Sequence, residues 1–178
     1  MKNAYKLGNV IITEEKILER AEELGAQISK DYEGEEVFVV GILKGAVMWM
    51  SELIKRISVP VYMDFMAVSS YGASTKSSGV VRILKDLDSG IEDKNVIIVE
   101  DIVDSGITLN YLKNHFMARG AKSLRICALL DKPAGRKKTI DVDYVGFTVE
   151  DIFIVGFGLD ANQQYRNLPY ITSIIEQE

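Results

Sequence analysis

The chain holds one cysteine and one histidine in 178 residues, and each scarcity removes a class of chemistry. Cys127 alone cannot close an internal disulfide, so a reducing cytoplasm is the expected compartment. It lies within the apolar run from Leu124 to Leu130, where it reads as a small buried hydrophobe. His115 alone leaves no Ser-His-Asp or Cys-His triad and no zinc ligand cluster. No apolar run approaches the ~20 residues of a membrane helix. The start, Met1-Lys2-Asn3-Ala4-Tyr5, lacks the apolar centre of a secretory signal, so no membrane partner is expected. Basic residues are also short: 21 Lys and Arg stand against 26 Asp and Glu, a formal net charge of −5. A nucleic-acid scaffold shows the opposite balance, and only Arg136-Lys137-Lys138 cluster here, so no nucleic acid is expected. Internal repeats and low-complexity segments are missing too.

What is present is an ordinary soluble domain, 47% hydrophobic and 26% charged, with enough chain for a real core. Thr13 before Glu14-Glu15 reads as a helix start, and Ile17, Leu18, Ala21, Leu24 and Ile28 recur at helical spacing. Val37 to Leu43 is a buried-strand run, followed at once by Lys44-Gly45 and a helical stretch over 46–57. Trp49 within it suits a core or a subunit interface. Val61 to Val68 and Val80 to Leu87 read as strands. Between them lies a long polar stretch from Ser69 to Gly79, of the kind that serves as a lid or stays disordered. Leu124 to Leu130, Tyr144 to Val149 and Phe153 to Phe157 are further strand runs. Asp141 and Asp143 match no motif and read as surface charges. Strands alternating with helices predict an α/β fold, a twisted, mostly parallel sheet flanked by helices. The last third predicts a small hood over its edge.

The informative stretch is Val96-Ile97-Ile98-Val99-Glu100-Asp101-Ile102-Val103-Asp104-Ser105-Gly106-Ile107-Thr108. A buried strand runs from Val96 to Val99, two carboxylates stand where it is expected to end, and a small polar loop opens a helix over 109–118. In open α/β sheets ligands bind beyond the carboxyl ends of strands. A loop feeding a helix N-terminus offers free N–H groups and a positive dipole end, which suits phosphate. An acidic pair beside it is repulsive unless a cation or sugar hydroxyls intervene. The stretch therefore asks for a phosphorylated sugar, with Mg2+.

This run resembles, position by position, the phosphoribosyl diphosphate (PRPP) motif of the type I phosphoribosyltransferases. Four further blocks, in order, resemble the bacterial-type hypoxanthine-guanine branch of that family: Leu43-Lys44-Gly45, Ser70-Tyr71-Gly72, Leu130-Asp131-Lys132-Pro133, and Phe153-Ile154-Val155-Gly156-Phe157 with Leu159-Asp160 and Arg166. The resemblance implies a single domain, with a core of about 10–145 and a hood of about 146–178 joined by the N-terminus. It implies Mg2+-dependent transfer of 5-phosphoribosyl from PRPP to N9 of hypoxanthine or guanine, giving IMP or GMP and pyrophosphate. Glu100 and Asp101 would hold the ribose hydroxyls and a hydrated Mg2+, with Asp160 on a second Mg2+. Asp104 would be the general base. Ser105, Gly106, Ile107 and Thr108 would hold the 5′-phosphate, and Lys44, Gly45 and Arg166 the pyrophosphate. Lys132 would donate to the purine 6-oxo group, Phe153 would stack on the base and the Ile154 backbone would pair with its edge. Ser70 and Tyr71 would belong to a closing lid. The family tends to hold the Leu43–Lys44 peptide cis and to assemble as dimers or tetramers, for which Trp49 and the 46–57 helix are candidate surfaces. Two alternatives stay open: a xanthine-preferring transferase, and an RNA-binding regulator on the same fold.

Overall fold

A computed structural model describes residues 5–70 and 81–176. The sheet begins with β2 (Val37–Leu43), whose residues are buried almost throughout. It pairs in parallel with β3 (Val61–Ser70) on one side and β5 (Asn95–Val103) on the other. Beyond β5 lie β6 (Ser123–Asp131) and β7 (Tyr144–Thr148), also parallel. The outer strand β4 (Val81–Lys85) runs antiparallel to β3, giving the order β4-β3-β2-β5-β6-β7. These strands carry apolar residues on both faces because helices cover both. In β5, Ile97 and Val99 belong to the cluster under α1 (Glu14–Asp31) and α2 (Val47–Ile54). Val96 and Ile98 belong to the cluster under α3 (Ile107–Ala118). The alternation is the two-residue period of a strand made visible by two different partners.

Helix α1 follows its sequence cues. Thr13 caps it, its hydroxyl accepting from the Lys16 N–H, and Glu14 and Glu15 sit in the first turn. Its buried face is Ile17, Ala21, Leu24 and Ile28. Burying each of the large members contributes roughly 1.5–3 kcal/mol. Trp49 on α2 is fully buried within this chain, so it is a core residue and offers no subunit surface. Cys127 is likewise buried, and burial pushes its thiol up to about 12.

A second, three-stranded antiparallel sheet is ordered β1-β9-β8, from β1 (Tyr5–Ile12), β8 (Ile154–Val155) and β9 (Ile171–Glu176). This is the hood. Sequence patterning missed β1 and β9. It also ran the strand at 153–157 too long, since Phe153 precedes β8 and Gly156 and Phe157 leave it with positive φ. Thr172 locks the two chain ends together, its buried hydroxyl donating to the carbonyl oxygens of Asn9 (2.8 Å) and Gly8 (3.1 Å). Among the described residues no helix is long and apolar enough to cross a membrane.

Candidate active site

The strand order reverses between β2 and β5: the chain passes from β2 outward to β3, then returns to place β5 on the other side. The loops after β2 and after β5 therefore flank one crevice at the carboxyl edge of the sheet, the usual place for a ligand in an open α/β fold. The Leu43–Lys44 peptide is cis. Gly45 packs against β5 so closely that a Cβ there would overlap the Asp101 carboxylate. Gly158 does the same from the hood side, where a Cβ would overlap the Gly45 carbonyl oxygen. Glycine at these two positions lets three segments converge.

Strand β5 does not stop at the acidic pair. Its pairing with β6 continues through Glu100↔Ala128 to Val103↔Asp131, so Glu100 and Asp101 lie inside the strand's last turn of pleat. Both side chains are half-buried. Burial, then the neighbouring Asp101 charge, raises the Glu100 carboxyl well above its usual range. Burial also raises Asp101, against the opposing pull of the Ile102 N–H, which donates to Asp101 Oδ1 at 2.8 Å. Two carboxyls held together in partial burial favour their neutral forms unless further cationic charge joins that of Arg166.

The corner after β5 leads directly into α3. Gly106 caps α3 in the left-handed conformation (φ 75°) and has no side chain of its own to close the helix. The Ser105 hydroxyl accepts from the Ile107 N–H at 3.4 Å, a long bond like the one from Lys16 to Thr13. The corner is pinned from behind, where the N–H groups of Lys137 and Lys138 donate to the Ser105 carbonyl at 2.9 and 3.0 Å. A Cβ on Gly106 would stand 2.6 Å from the Lys138 carbonyl oxygen. The start of α3, with its positive dipole end, thus borders the cleft lined by Glu100, Asp104, Ser105, Gly106 and Thr108.

Asp104 is exposed, and its carboxylate is 3.7 Å from Lys132 Nζ. Lys132 is held at the end of β6 by its own N–H, which donates to the Val103 carbonyl at 2.9 Å. Its ammonium makes its shortest contact elsewhere, with Asp151 at 2.8 Å. That bond, outweighing burial, keeps the Lys132 pKa above the ordinary lysine value. Phe153 stands out in solvent at 59% exposure while Ile154 is buried, and both line a cleft with Lys132, Asp101 and Asp160.

On the other flank Arg166 is a folded clamp. It pairs with Asp160 at 2.6 Å and donates to the Gly158 carbonyl at 2.7 Å, while its Nε is buried without a partner. Asp160 also accepts from the Gln163 N–H at 2.7 Å. Lys44 reaches the Gln163 amide oxygen at 3.4 Å. The expected metal carboxylates do not form one cluster: among the described residues no group of three or more His, Cys, Asp or Glu is poised to hold an ion. Glu100 with Asp101, and Asp160 apart from them, are two separate places. Such pairs suit Mg2+, which keeps most of its water and takes one or two carboxylates plus substrate phosphate.

The structure thus brings Lys44, Gly45, Glu100, Asp101, Asp104, Ser105, Gly106, Ile107, Thr108, Lys132, Phe153, Ile154, Asp160 and Arg166 to one edge. Tyr71 and the side chain of Ser70, assigned to a lid, lie outside the described residues. Sequence reasoning overlooked Asp151, Gln163 and Arg136. Arg136 carries a real signal, as the first residue of a cationic cluster three residues after Pro133, and it pairs with Asp131. Asp151 and Gln163 carry none. Asp143, read as a plain surface charge, accepts from the Ile126 N–H at 2.8 Å and ties β6 to the approach of β7.

The family model for the phosphoribosyl transferase domain matches residues 11–162. A hypoxanthine-guanine phosphoribosyltransferase of Bacillus subtilis (strain 168) is 52% identical over 167 residues, covering 94% of this chain and 93% of that protein. Another, from Streptococcus mutans, is 53% identical over 162 residues, covering 91% and 90%. The crystal structure of a hypoxanthine phosphoribosyltransferase from Staphylococcus aureus matches with a TM-score of 0.92 at 50% identity, covering 95% of this chain and 92% of that one.

Proposed function

The chain belongs to the phosphoribosyltransferases, in their hypoxanthine-guanine branch, and from that premise we propose that it moves the 5-phosphoribosyl group of PRPP onto N9 of hypoxanthine or guanine. The observation that carries this reading is that three clefts share walls. Glu100 and Thr108 line both the cleft at the start of α3 and a central cleft walled by Lys44, Gly45 and Arg166. Asp101 and Asp160 line both the central cleft and the one beneath Phe153. A single trough therefore leads from an ester-phosphate seat, past an acid pair, to a slot with an aromatic ring and an ammonium.

In this reading the 5′-phosphate sits against the Ser105–Thr108 corner. Glu100 and Asp101 take the ribose hydroxyls, and their charge offsets positive charge growing on the ring as the C1′–pyrophosphate bond breaks. Pyrophosphate leaves with the electron pair toward Lys44, the Gly45 N–H and Arg166. The N9–C1′ bond forms as Asp104 removes the proton from purine N7. Lys132 donates to the 6-oxo group, where the amino group of adenine offers only donors. Phe153 stacks on the base and the Ile154 backbone pairs with its edge. Mg2+ held by Glu100 and Asp101, and a second ion at Asp160, would supply charge neutralisation for the pyrophosphate. The buried, solitary Cys127 suits a reducing cytoplasm, and a homo-dimer or homo-tetramer is the proposed assembly, Trp49 being no part of its surface.

The test is direct. Protein, Mg2+ and PRPP are incubated with hypoxanthine, guanine, xanthine or adenine in turn. IMP and GMP should form with release of pyrophosphate. Nucleotide from xanthine alone, or from none of the four, overturns the assignment.

A further inference from the structure

Lys132 stands between two carboxylates on different loops, and it sits nearer the one without an assigned role. Its ammonium is 2.8 Å from Asp151 Oδ1 and 3.7 Å from Asp104 Oδ1. Both are ion pairs, and the contact with Asp151 is the closer by 0.9 Å. The arrangement is built rather than incidental. The Val149 N–H donates to the Asp131 carbonyl at 2.9 Å, which fastens the segment leading to Asp151 beside the residue before Lys132, and the Ile152 N–H donates to the Glu150 carbonyl at 2.9 Å within the turn itself. The lysine stem is confined as well, its side chain being only 15% exposed. A Cβ on Gly135 would overlap the Asp104 carboxylate and stand 3.5 Å from the Lys132 Cε, so little room is left between the two groups.

An ammonium has three donors and no acceptor. If nothing held it on the far side, Lys132 would be drawn the remaining distance onto Asp104, the nearest anion. That would cost the reaction twice. One donor would turn away from the base, and the general base would be tied up in an ion pair that stabilises its anion and weakens its pull on a proton. Asp151 competes for the same ammonium and wins on distance.

We propose that Asp151 is a positioning residue for base recognition: by holding the Lys132 ammonium on the side away from Asp104, it keeps one lysine donor aimed at the 6-oxo edge of a purine and leaves Asp104 free to accept a proton. This rests on the assignment of Lys132 and Asp104 to the purine and goes beyond it by giving Asp151 a part. The pair is partly exposed, at 65% for Asp151, so solvent screens it and the effect is modest.

The test is a double-substitution cycle on the full-length enzyme, with initial rates measured against purine and against PRPP. Asp151→Asn should raise KM for guanine or hypoxanthine about two- to fivefold, the span of a screened charge pair. KM for PRPP and the melting temperature should be unchanged. Asp151→Glu should recover most of the loss. In a Lys132→Ala background, Asp151→Asn should do nothing further, because the group it positions is gone. An equal loss in both backgrounds, or a rise in PRPP KM matching that for purine, overturns the proposal. So does an Asp151→Asn enzyme with unaltered purine KM. If the parent enzyme transfers phosphoribose to no purine, the underlying assignment has failed instead, and the parent measurement alone reveals it.

Discussion

The two edges of the six-stranded sheet are made by the same strands and treat charge in opposite ways. At the amino edge charged groups pair with one another, although the buried Tyr32 hydroxyl is left without a partner. Arg125 donates to Asp31 and to the Tyr144 hydroxyl, which itself donates to Asp31 at 2.8 Å. Lys122 reaches both oxygens of Glu35 at 2.8 Å, and buried Asn95 donates to Glu35 and Glu36 while accepting from Ser123. At the carboxyl edge Glu100 and Asp101 crowd two half-buried carboxyls together, the nearest cation to Asp104 belongs to another carboxylate, and α3 begins on a glycine with no side chain to cap it. Unmatched charge of this kind lowers stability. The fold finishes one edge with its own side chains and leaves the other to be finished by a ligand, which is where local rules are expected to fail.

That contrast is broken most severely by Asp104→Asn. Turnover should fall ~10²–10⁴-fold, the usual worth of a general base, with PRPP binding and melting temperature retained. An unchanged rate in a stopped assay would remove Asp104 from the mechanism. Lys132→Ala comes next: it should erase preference for 6-oxopurines over adenine, which such a site can set at up to ~10⁴-fold, while sparing PRPP affinity. Guanine, hypoxanthine and adenine kinetics that all stay put would reject the role. The opposite edge should answer in the opposite currency. Asp31→Ala leaves Arg125 and Tyr144 short of a partner and should cost about 1–3 kcal/mol in urea unfolding with kcat untouched. A fall in kcat at constant stability would erase the distinction between the edges.

How much of this was legible in the sequence follows the same division. The anion corner could be read because strand, acids, loop and helix start are contiguous, so local pattern and function coincide there. Helix α1 could be read because Thr13, Glu14 and Glu15 announce its start and Ile17, Ala21, Leu24 and Ile28 its buried face. The end of β5 could not. Glu100 and Asp101 look like a terminus, yet backbone pairing with β6 carries on to Val103 regardless of side-chain polarity. Strands β1 and β9 escaped because each is defined by the other across the length of the chain, with Tyr5 opposite Glu176, and β1 buries little that would mark it. Trp49 was compatible with core or interface by type alone, and only the packing of α2 under α1 decides for the core. Asp151 was invisible because its meaning is a distance to Lys132 that no local pattern encodes.

The smallest effect tests the contrast most closely, because it asks whether the carboxyl edge is strained when empty. Asp101→Asn removes one of two half-buried like charges while keeping an oxygen to accept the Ile102 N–H. Without PRPP or Mg2+ at neutral pH, the variant should be more stable than the parent by about 1 kcal/mol, or roughly 2–4 °C in Tm. With PRPP and Mg2+ added, the order should reverse, since a ligand stabilises only in proportion to its preference for the folded state and the variant has lost a group that grips it. The comparable amino-edge change, Asp31→Ala, should lower Tm in both conditions by the same amount. A melting curve in which Asp101→Asn is the less stable protein even without ligand would mean that the acid pair is an internal structural bond after all. The two edges would then differ in composition but not in kind.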